Sequence, residues 1–475
     1  VSKSRIFRAI IHPRPIIVQK QGAPSRMVRS NAVCLWVFAA LIPTVAGSQE
    51  HTHELAHTSH GSYETAAHDP RPSAIPDRIV LTWQTDPATS QAITWRTDTT
   101  VARGTVEIAP ADASPRFMLS VESVAAETEH VETDSGPAHF HSANAQGLEP
   151  ATRYAYRVGA GEVWSEWFHF RTANDRPEPF SFIYFGDAQN NVLSLWSRTL
   201  RSAYSDAPRA AFMIHAGDLI NRANRDVEWG EWFEAGDWIQ AMVPSIPTPG
   251  NHEYAKDGAG GRSLSSLWRP HFTLPAGDIE GLEETVYFVD YQGVRIISIN
   301  SNERLEEQAE WLDGTLESNP NRWTVVTFHH PVFSTAEGRD NETLRGLWKP
   351  LFDRHRVDLV LTGHDHTYGR GQNLAVGVNE ADAGAGTVYV VSVSGPKMYL
   401  LDDEAWWDRA AENTQLYQII SVDGDRLQYE ARTAVGDLYD AFELVKRDGL
   451  PNRMIDTTPQ GVLERRHDNT LGGRE

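Results

Sequence analysis

The chain has 475 residues, 40% hydrophobic and 23% charged, the balance of a globular protein long enough for two domains with proper cores. Its 43 lysines and arginines stand against 64 aspartates and glutamates, and the net charge of -21 excludes a broad nucleic-acid-binding face, because nothing would offset phosphate repulsion. A phosphate-handling pocket in such a chain needs its own local positive charge, and bound metal ions are one source.

In chain order, residues 1–48 read as an upstream extension and a signal peptide. The only cysteine, Cys34, lies in the apolar run NAVCLWVFAALIPTVAG of residues 31–47, which follows Met27-Val28-Arg29-Ser30 and closes on small residues around Val45, Ala46 and Gly47. The run is too short to span a bilayer comfortably and has the layout of a secretory leader. The expectation is therefore an exported chain, periplasmic or extracellular, starting at Met27, with no cysteine and no membrane span once the leader is removed. A buried cytosolic helix is the weaker reading, because the polar residues that follow give it nothing adjacent to pack on. Residues 49–74 form a histidine-rich linker with His51, His53, His57, His60 and His68; a tract without fixed spacing is more often solvated than metal-binding.

Residues 75–174 carry short β-rich runs, RIVLTWQ, AITWRTD, GTVEIAP, FMLSVESV, HVETD and RYAYRVGAG, separated by turn residues such as Asp86-Pro87. This pattern predicts a small antiparallel β-sandwich. Residues 178–446 alternate the apolar strands FSFIYFGD, AFMIHAGD, RIISIN, WTVVTFHH and VDLVLTGHDH with the helical segments LSLWSRTLRSAYSDA and LEEQAEWLDGTLES, the grammar of an α/β layered domain. The tryptophan-rich stretches EWGEWFEAGDW and DEAWWDRA read first as core packing, and second as a cover or base-stacking surface for a pocket. Residues 447–475 read as a polar, poorly ordered tail.

Several strands of the α/β region end in a ligand-type residue: Gly186-Asp187, Gly217-Asp218, Gly250-Asn251-His252-Glu253, His329-His330 and Gly363-His364-Asp365-His366. Each alone has an ordinary explanation, since Gly-Asp is a common turn and a strand histidine is usually a satisfied core residue. Together they place carboxylates, an amide and imidazoles at the ends of strands expected to form one sheet, with no matching cluster of lysines or arginines adjoining them in sequence. Buried carboxylates of this kind are costly unless paired, and a pair of divalent ions resolves the conflict. Mixed nitrogen and oxygen donors suit zinc, manganese, iron or cobalt better than calcium.

The ordered motifs GDAQ, GDLIN, GNHE, VTFH and GHDH resemble those of the calcineurin-like metallophosphoesterases, and VDLVLTGHDHTYGR is similar to the purple acid phosphatases. The stretch HFHSANAQGLEPATRYAYRVG resembles the late strands of fibronectin type III-like domains through Leu148, Pro150, Thr152, Tyr154 and Tyr156, and such a domain precedes the catalytic domain in many purple acid phosphatases. The resemblance implies an N-terminal sandwich followed by a four-layered αββα metallophosphoesterase domain. It implies two metal ions, with Asp218 bridging them, Asp187 and His366 on the first, and Asn251, His329 and His364 on the second. It implies that a metal-activated hydroxide attacks phosphorus in line while His252 serves the leaving group as donor or general acid. His330 is expected either to touch substrate or to orient its loop; Arg222 and Arg370 are expected either to steady a phosphate or to be ordinary structural arginines.

Two positions depart from the pattern. Asn221 stands where purple acid phosphatases have the tyrosine that binds ferric iron, and Gln189 stands where other branches have histidine. The first ion is left with a neutral amide, from Gln189 or Asn221, to complete its set, so a ferric tyrosinate centre is not expected. The leading expectation is an exported dinuclear phosphohydrolase of small phosphate esters, with monoesters favoured. A phosphodiesterase or nucleotidase is the alternative within the superfamily. A non-catalytic cell-surface binding protein is the alternative outside it, and the retained His252 and ligand set argue against that one.

Overall fold

A computed structural model describes residues 71–466 apart from 257–259, 378, 380–382 and 403–405. The expected leader and nearly all of the histidine-rich linker lie outside the described residues. No helix among the described residues is long and apolar enough to cross a membrane.

Alternating β-branched and aromatic residues build the first region as two antiparallel sheets. One is ordered Asp77–Thr82, Ser90–Asp98, Gly136–Gln146, Glu127–Thr133; the other is built around Thr105–Pro110 and Arg153–Ala160. Leu81, Ile93 and Trp95 from the first sheet meet Val106, Tyr156, Val158 and Phe170 from the second in one buried cluster, which is the sandwich core. The Tyr154 hydroxyl accepts the Glu149 N–H at 2.8 Å and pins the turn before its own strand. FMLSVESV, read as one strand, is instead a 3-10 turn over Pro115–Ser120 followed by the strand Glu122–Ala125. Pro115 presets a helical φ there, and the Ser114 side chain accepts the Arg116 N–H.

The other face of the first sheet is buried as well. Val80, Trp83, Val131 and Phe140 belong to the same continuous core as the α/β region, with Trp83 5.8 Å from Phe212 and 5.6 Å from Tyr291 between ring centroids. Two arginines of the sandwich converge on one carboxylate of the α/β region: Arg78 lies 2.6 Å and Arg96 3.0 Å from Asp226, all with buried side chains. The sandwich is thus fused to its neighbour through apolar and ionic contacts.

The α/β region is built on one 14-stranded sheet that folds into two layers. Phe180–Phe185, Met213–His215 and Ser245–Pro247 run parallel in the first layer; Val294–Ser298, Trp323–Thr327 and Leu359–Thr362 run parallel in the second. Tyr184, Ile420 and Phe442 of one layer share a core with Ile296, Leu361 and Val390 of the other. The helices Ser197–Asp206 and Asp226–Gly236 pack on the first layer, and Leu305–Glu317 and Glu342–His355 on the second, so the expected order of layers is present. Trp229 and Trp232 are fully buried, as core packing predicts. The segment expected as a disordered tail is in part an interior strand of the sheet: Leu450–Asp456 pairs antiparallel with Leu438–Arg447 and, at Asn452, with Ala385, and the Arg465 N–H bonds the Tyr439 hydroxyl at 3.0 Å. Backbone pairing, which polar side chains do not disturb, holds it there.

Candidate metal centre

The candidate ligands leave the carboxyl ends of parallel strands that belong, as the sequence suggested, to one continuous sheet, but to two different layers of it. Asp187, Asp218 and Asn251 follow three strands of the first layer; His329, His364 and His366 follow two strands of the second. Two glycines let the ligand loops approach each other closely, Gly363 across the two layers and Gly250 within the first. A Cβ on Gly363 would lie only 2.2 Å from Asp187 Oδ1, and one on Gly250 only 2.2 Å from Asp218 Oδ1. The Glu253 carboxylate then ties the loops, accepting the N–H groups of Gly250 at 2.6 Å and of Asp218 and Leu219 at 2.9 Å.

Two groups of donor atoms result, Asp187 with Asp218 and His366, and His329 with His330 and His364, each mutually within 4.8 Å. Backbone carbonyls fix the imidazole tautomers: His329 Nδ1 donates to Ala216 O at 2.9 Å and His366 Nδ1 to Lys397 O at 3.1 Å, which turns each Nε2 inward. His329 Nε2 faces Asp218 Oδ2 at 3.2 Å, Asn251 Oδ1 at 3.1 Å and His364 Nδ1 at 3.1 Å. His366 Nε2 faces Asp187 Oδ2 at 3.3 Å. Lone pairs that face one another need a proton or a cation between them.

The charges say the same. Burial pushes the Asp187 carboxyl up to about 7, reinforced by the Asp218 carboxylate. Burial works against protonation of His329, but Asp218 and Asp187 raise it to about 9. Burial lowers His366 and His364, and it lowers His330 to about 3. Asp187 Oδ2 and Gln189 Oε1 are buried without a hydrogen-bond partner. A buried set of acceptors with orphaned oxygens fits divalent cations, which relieve the carboxylates without a proton.

Gln189 enters the first group, its amide nitrogen 2.7 Å from Asp218 Oδ2 and 3.3 Å from His366 Nε2. Rotating the carboxamide exchanges nitrogen for oxygen, so the residue can cap the carboxylate as a donor or offer Oε1 as a ligand. Asn221 participates through its backbone: its carbonyl accepts His252 Nδ1–H at 2.6 Å, and its N–H is held by Glu228 at 2.9 Å. His252 Nε2 is thereby turned toward the centre, 3.9 Å from Asp218 Oδ2. His330 is anchored by Ser301, 2.8 Å from Nδ1, and its ring packs 4.2 Å from that of His364.

The two arginines considered as phosphate donors are occupied elsewhere. Arg370 is buried against Asp440 at 2.7 Å and Asp456 at 3.0 Å, a structural pair inside the sheet, and is corrected to that role. Arg222 is exposed and bonded to Glu228 at 2.7 Å. Other cations flank the centre instead. Arg262 bonds the Asn251 carbonyl, Arg339 Nη1 donates to the His364 carbonyl at 2.9 Å, and Lys397 follows the centre's second layer on the loop that receives His366. None adjoins a motif in sequence, so only the folded chain reveals them.

Residues 76–172 match the family described as the purple acid phosphatase N-terminal domain, and residues 181–368 match the calcineurin-like phosphoesterases. An uncharacterized protein of Mycobacterium tuberculosis is 27% identical over 331 residues, covering 60% of this chain; the chain spans only 60% of that relative's length. Acid phosphatase type 7 of Mus musculus is 25% identical over 380 residues, or 70% of this chain and 76% of that protein. The structure of a purple acid phosphatase from yellow lupin (Lupinus luteus) seeds has the same fold, with a TM-score of 0.66 at 20% identity over 78% of this chain and 74% of that one.

Proposed function

We propose that this chain, which belongs to the calcineurin-like phosphoesterases and carries the N-terminal domain of purple acid phosphatases, hydrolyses phosphate monoesters at a centre of two divalent metal ions. The observation that carries the proposal is the convergence of Asp187, Asp218 and His366 with Asn251, His329 and His364 around inward-facing lone pairs. When bound, such ions lower the pKa of water and neutralise phosphate charge. In this reading Asp218 would be shared between the two ions, Gln189 would complete the first ligand set, and Asn251 and His364 would complete the second around His329. His252 holds a proton at Nε2 for the leaving-group oxygen, with Nδ1 tied to the Asn221 carbonyl so that the ring cannot turn away. His330, lowered by burial, offers substrate a neutral ring.

The acid phosphatase name of the mouse relative supports monoesters over diesters. With Asn221 in place of a phenolate ligand, zinc, manganese or ferrous iron is the reading for the metals. Export through the leader at residues 31–47 is part of the proposal, and N-terminal sequencing of secreted protein checks it. The central test is hydrolysis of p-nitrophenyl phosphate and bis(p-nitrophenyl) phosphate after loading with zinc or manganese. Activity on the monoester, lost with most of the bound metal in Asp218→Ala, is expected; metal-loaded protein inert on both esters defeats the reading.

A further inference from the structure

Resting on that phosphoesterase reading, we propose that Arg339 and Lys397, set around the ring of Tyr399 at the His364–His366 edge of the centre, form a subsite for a second phosphate-type anion. The preferred esters then carry two or more phosphate groups. The rim is built, not loose. The Tyr399 N–H donates to His366 O at 3.2 Å, Glu337 N–H to Leu400 O at 3.0 Å, and Asp402 N–H to Thr335 O at 2.9 Å, so the two loops that carry the cations are bonded to each other and to a candidate ligand. Tyr399 packs 4.7 Å from the His366 ring, the Arg339 guanidinium lies 4.7 Å from the Tyr399 centroid, and Lys397 Nζ lies 5.4 Å from it.

Position and charge both argue for a second anion. Both cations lie against the Tyr399 ring, which itself packs on the ring of the candidate ligand His366, so they stand together beside the centre. Arg339 fixes one nitrogen on the His364 carbonyl, lies 3.5 Å from the buried Asp365 carboxylate, and keeps 29% of its side chain exposed. Lys397 has no carboxylate within salt-bridge distance among the described residues. In a chain of net charge -21, lysines and arginines otherwise have acidic partners in abundance. A guanidinium and an ammonium sharing one aromatic platform suit an oxyanion of fixed tetrahedral shape.

The experiment is isothermal titration of manganese-loaded protein with methylenediphosphonate and with inorganic phosphate, alongside hydrolysis of p-nitrophenyl phosphate. The diphosphonate is expected to bind at least about tenfold tighter than phosphate, and Lys397→Gln and Arg339→Gln are each expected to reduce that ratio about tenfold, with Lys397→Arg restoring it. Arg339 also supports the His364 carbonyl; Lys397, whose side chain supports no backbone, keeps the test interpretable should Arg339→Gln unfold. Equal affinity for the two probes, or a ratio unchanged in Lys397→Gln, overturns the subsite. Should the ester be hydrolysed without any preference for diphosphonate, only the subsite falls. Should diphosphonate be preferred while no ester is cleaved, the subsite stands and the phosphoesterase reading falls.

Discussion

His252 owes its orientation to a single strong contact, the 2.6 Å bond from Nδ1 to the Asn221 carbonyl, and that carbonyl owes its position to Glu228 at the first turn of the helix Asp226–Gly236. A ring held in this way matters most when the leaving group needs a proton. His252→Ala is expected to lower kcat roughly 100-fold to 1,000-fold on an alkyl phosphate and much less on p-nitrophenyl phosphate, whose leaving group is a weak base, with metal content unchanged. An equal loss on both substrates would remove His252 from the proton-donor role. At this scale the candidate ligands were legible, because Asp187, Asp218, Asn251 and His364 each directly follow a glycine near the end of an apolar run and His329 closes another such run. Arg339, Lys397 and Tyr399 were not, since a rim assembled from separate loops leaves no local signature. Arg370 misled for the complementary reason: its partner Asp440 lies 70 positions away.

The elements do their work at their carboxyl ends. Gly363 follows the strand Leu359–Thr362, and the missing side chain is where Asp187 Oδ1 accepts the His364 N–H at 2.6 Å. Gly363→Ala is therefore expected to displace Asp187 and to lower bound metal by about half or more, read by elemental analysis of folded protein, in line with the sensitivity of metal sites to small displacements of their ligands. Full metal content in this variant would show that the loop can give way. Strand existence was readable from hydrophobic runs, while two assignments failed where backbone geometry outweighed side-chain pattern. Pro115 turned an apparent strand into a 3-10 turn, and the polar Leu450–Asp456 gained a ladder partner that no composition rule anticipates.

For the molecule as a whole, the junction of sandwich and α/β region carries much of the stability. Asp226 is the shared buried partner of Arg78 and Arg96, so Asp226→Asn leaves two buried guanidinium groups undercompensated and is expected to cost about 3–5 kcal/mol in urea unfolding. A loss below about 1 kcal/mol, the range of exposed pairs, would mean that water reaches the cluster. Acid should also loosen the fold. Burial, with a smaller contribution from His139, lowers His141 from 6.5 to about 4, so the unfolded chain takes up its proton first. This contribution is complete above about pH 6.5 and is lost as pH falls toward 4. His141→Gln is expected to flatten the fall in urea midpoint between those values, with His215 and His271, also lowered by burial, contributing to the slope that remains; an unchanged slope would remove His141 from the acid response. The sequence by itself determined the two-part architecture, the order of the ligand motifs and the two departures at Gln189 and Asn221, because strand periodicity and glycine-flanked ligands are written in adjacent residues. Only the tertiary structure decided that the ligands come from two layers, that Asn221 acts through its carbonyl, and which cations flank the centre. Those facts depend on which distant segments pack together, and long-range packing is set by the whole chain's burial of apolar surface, not by any local pattern.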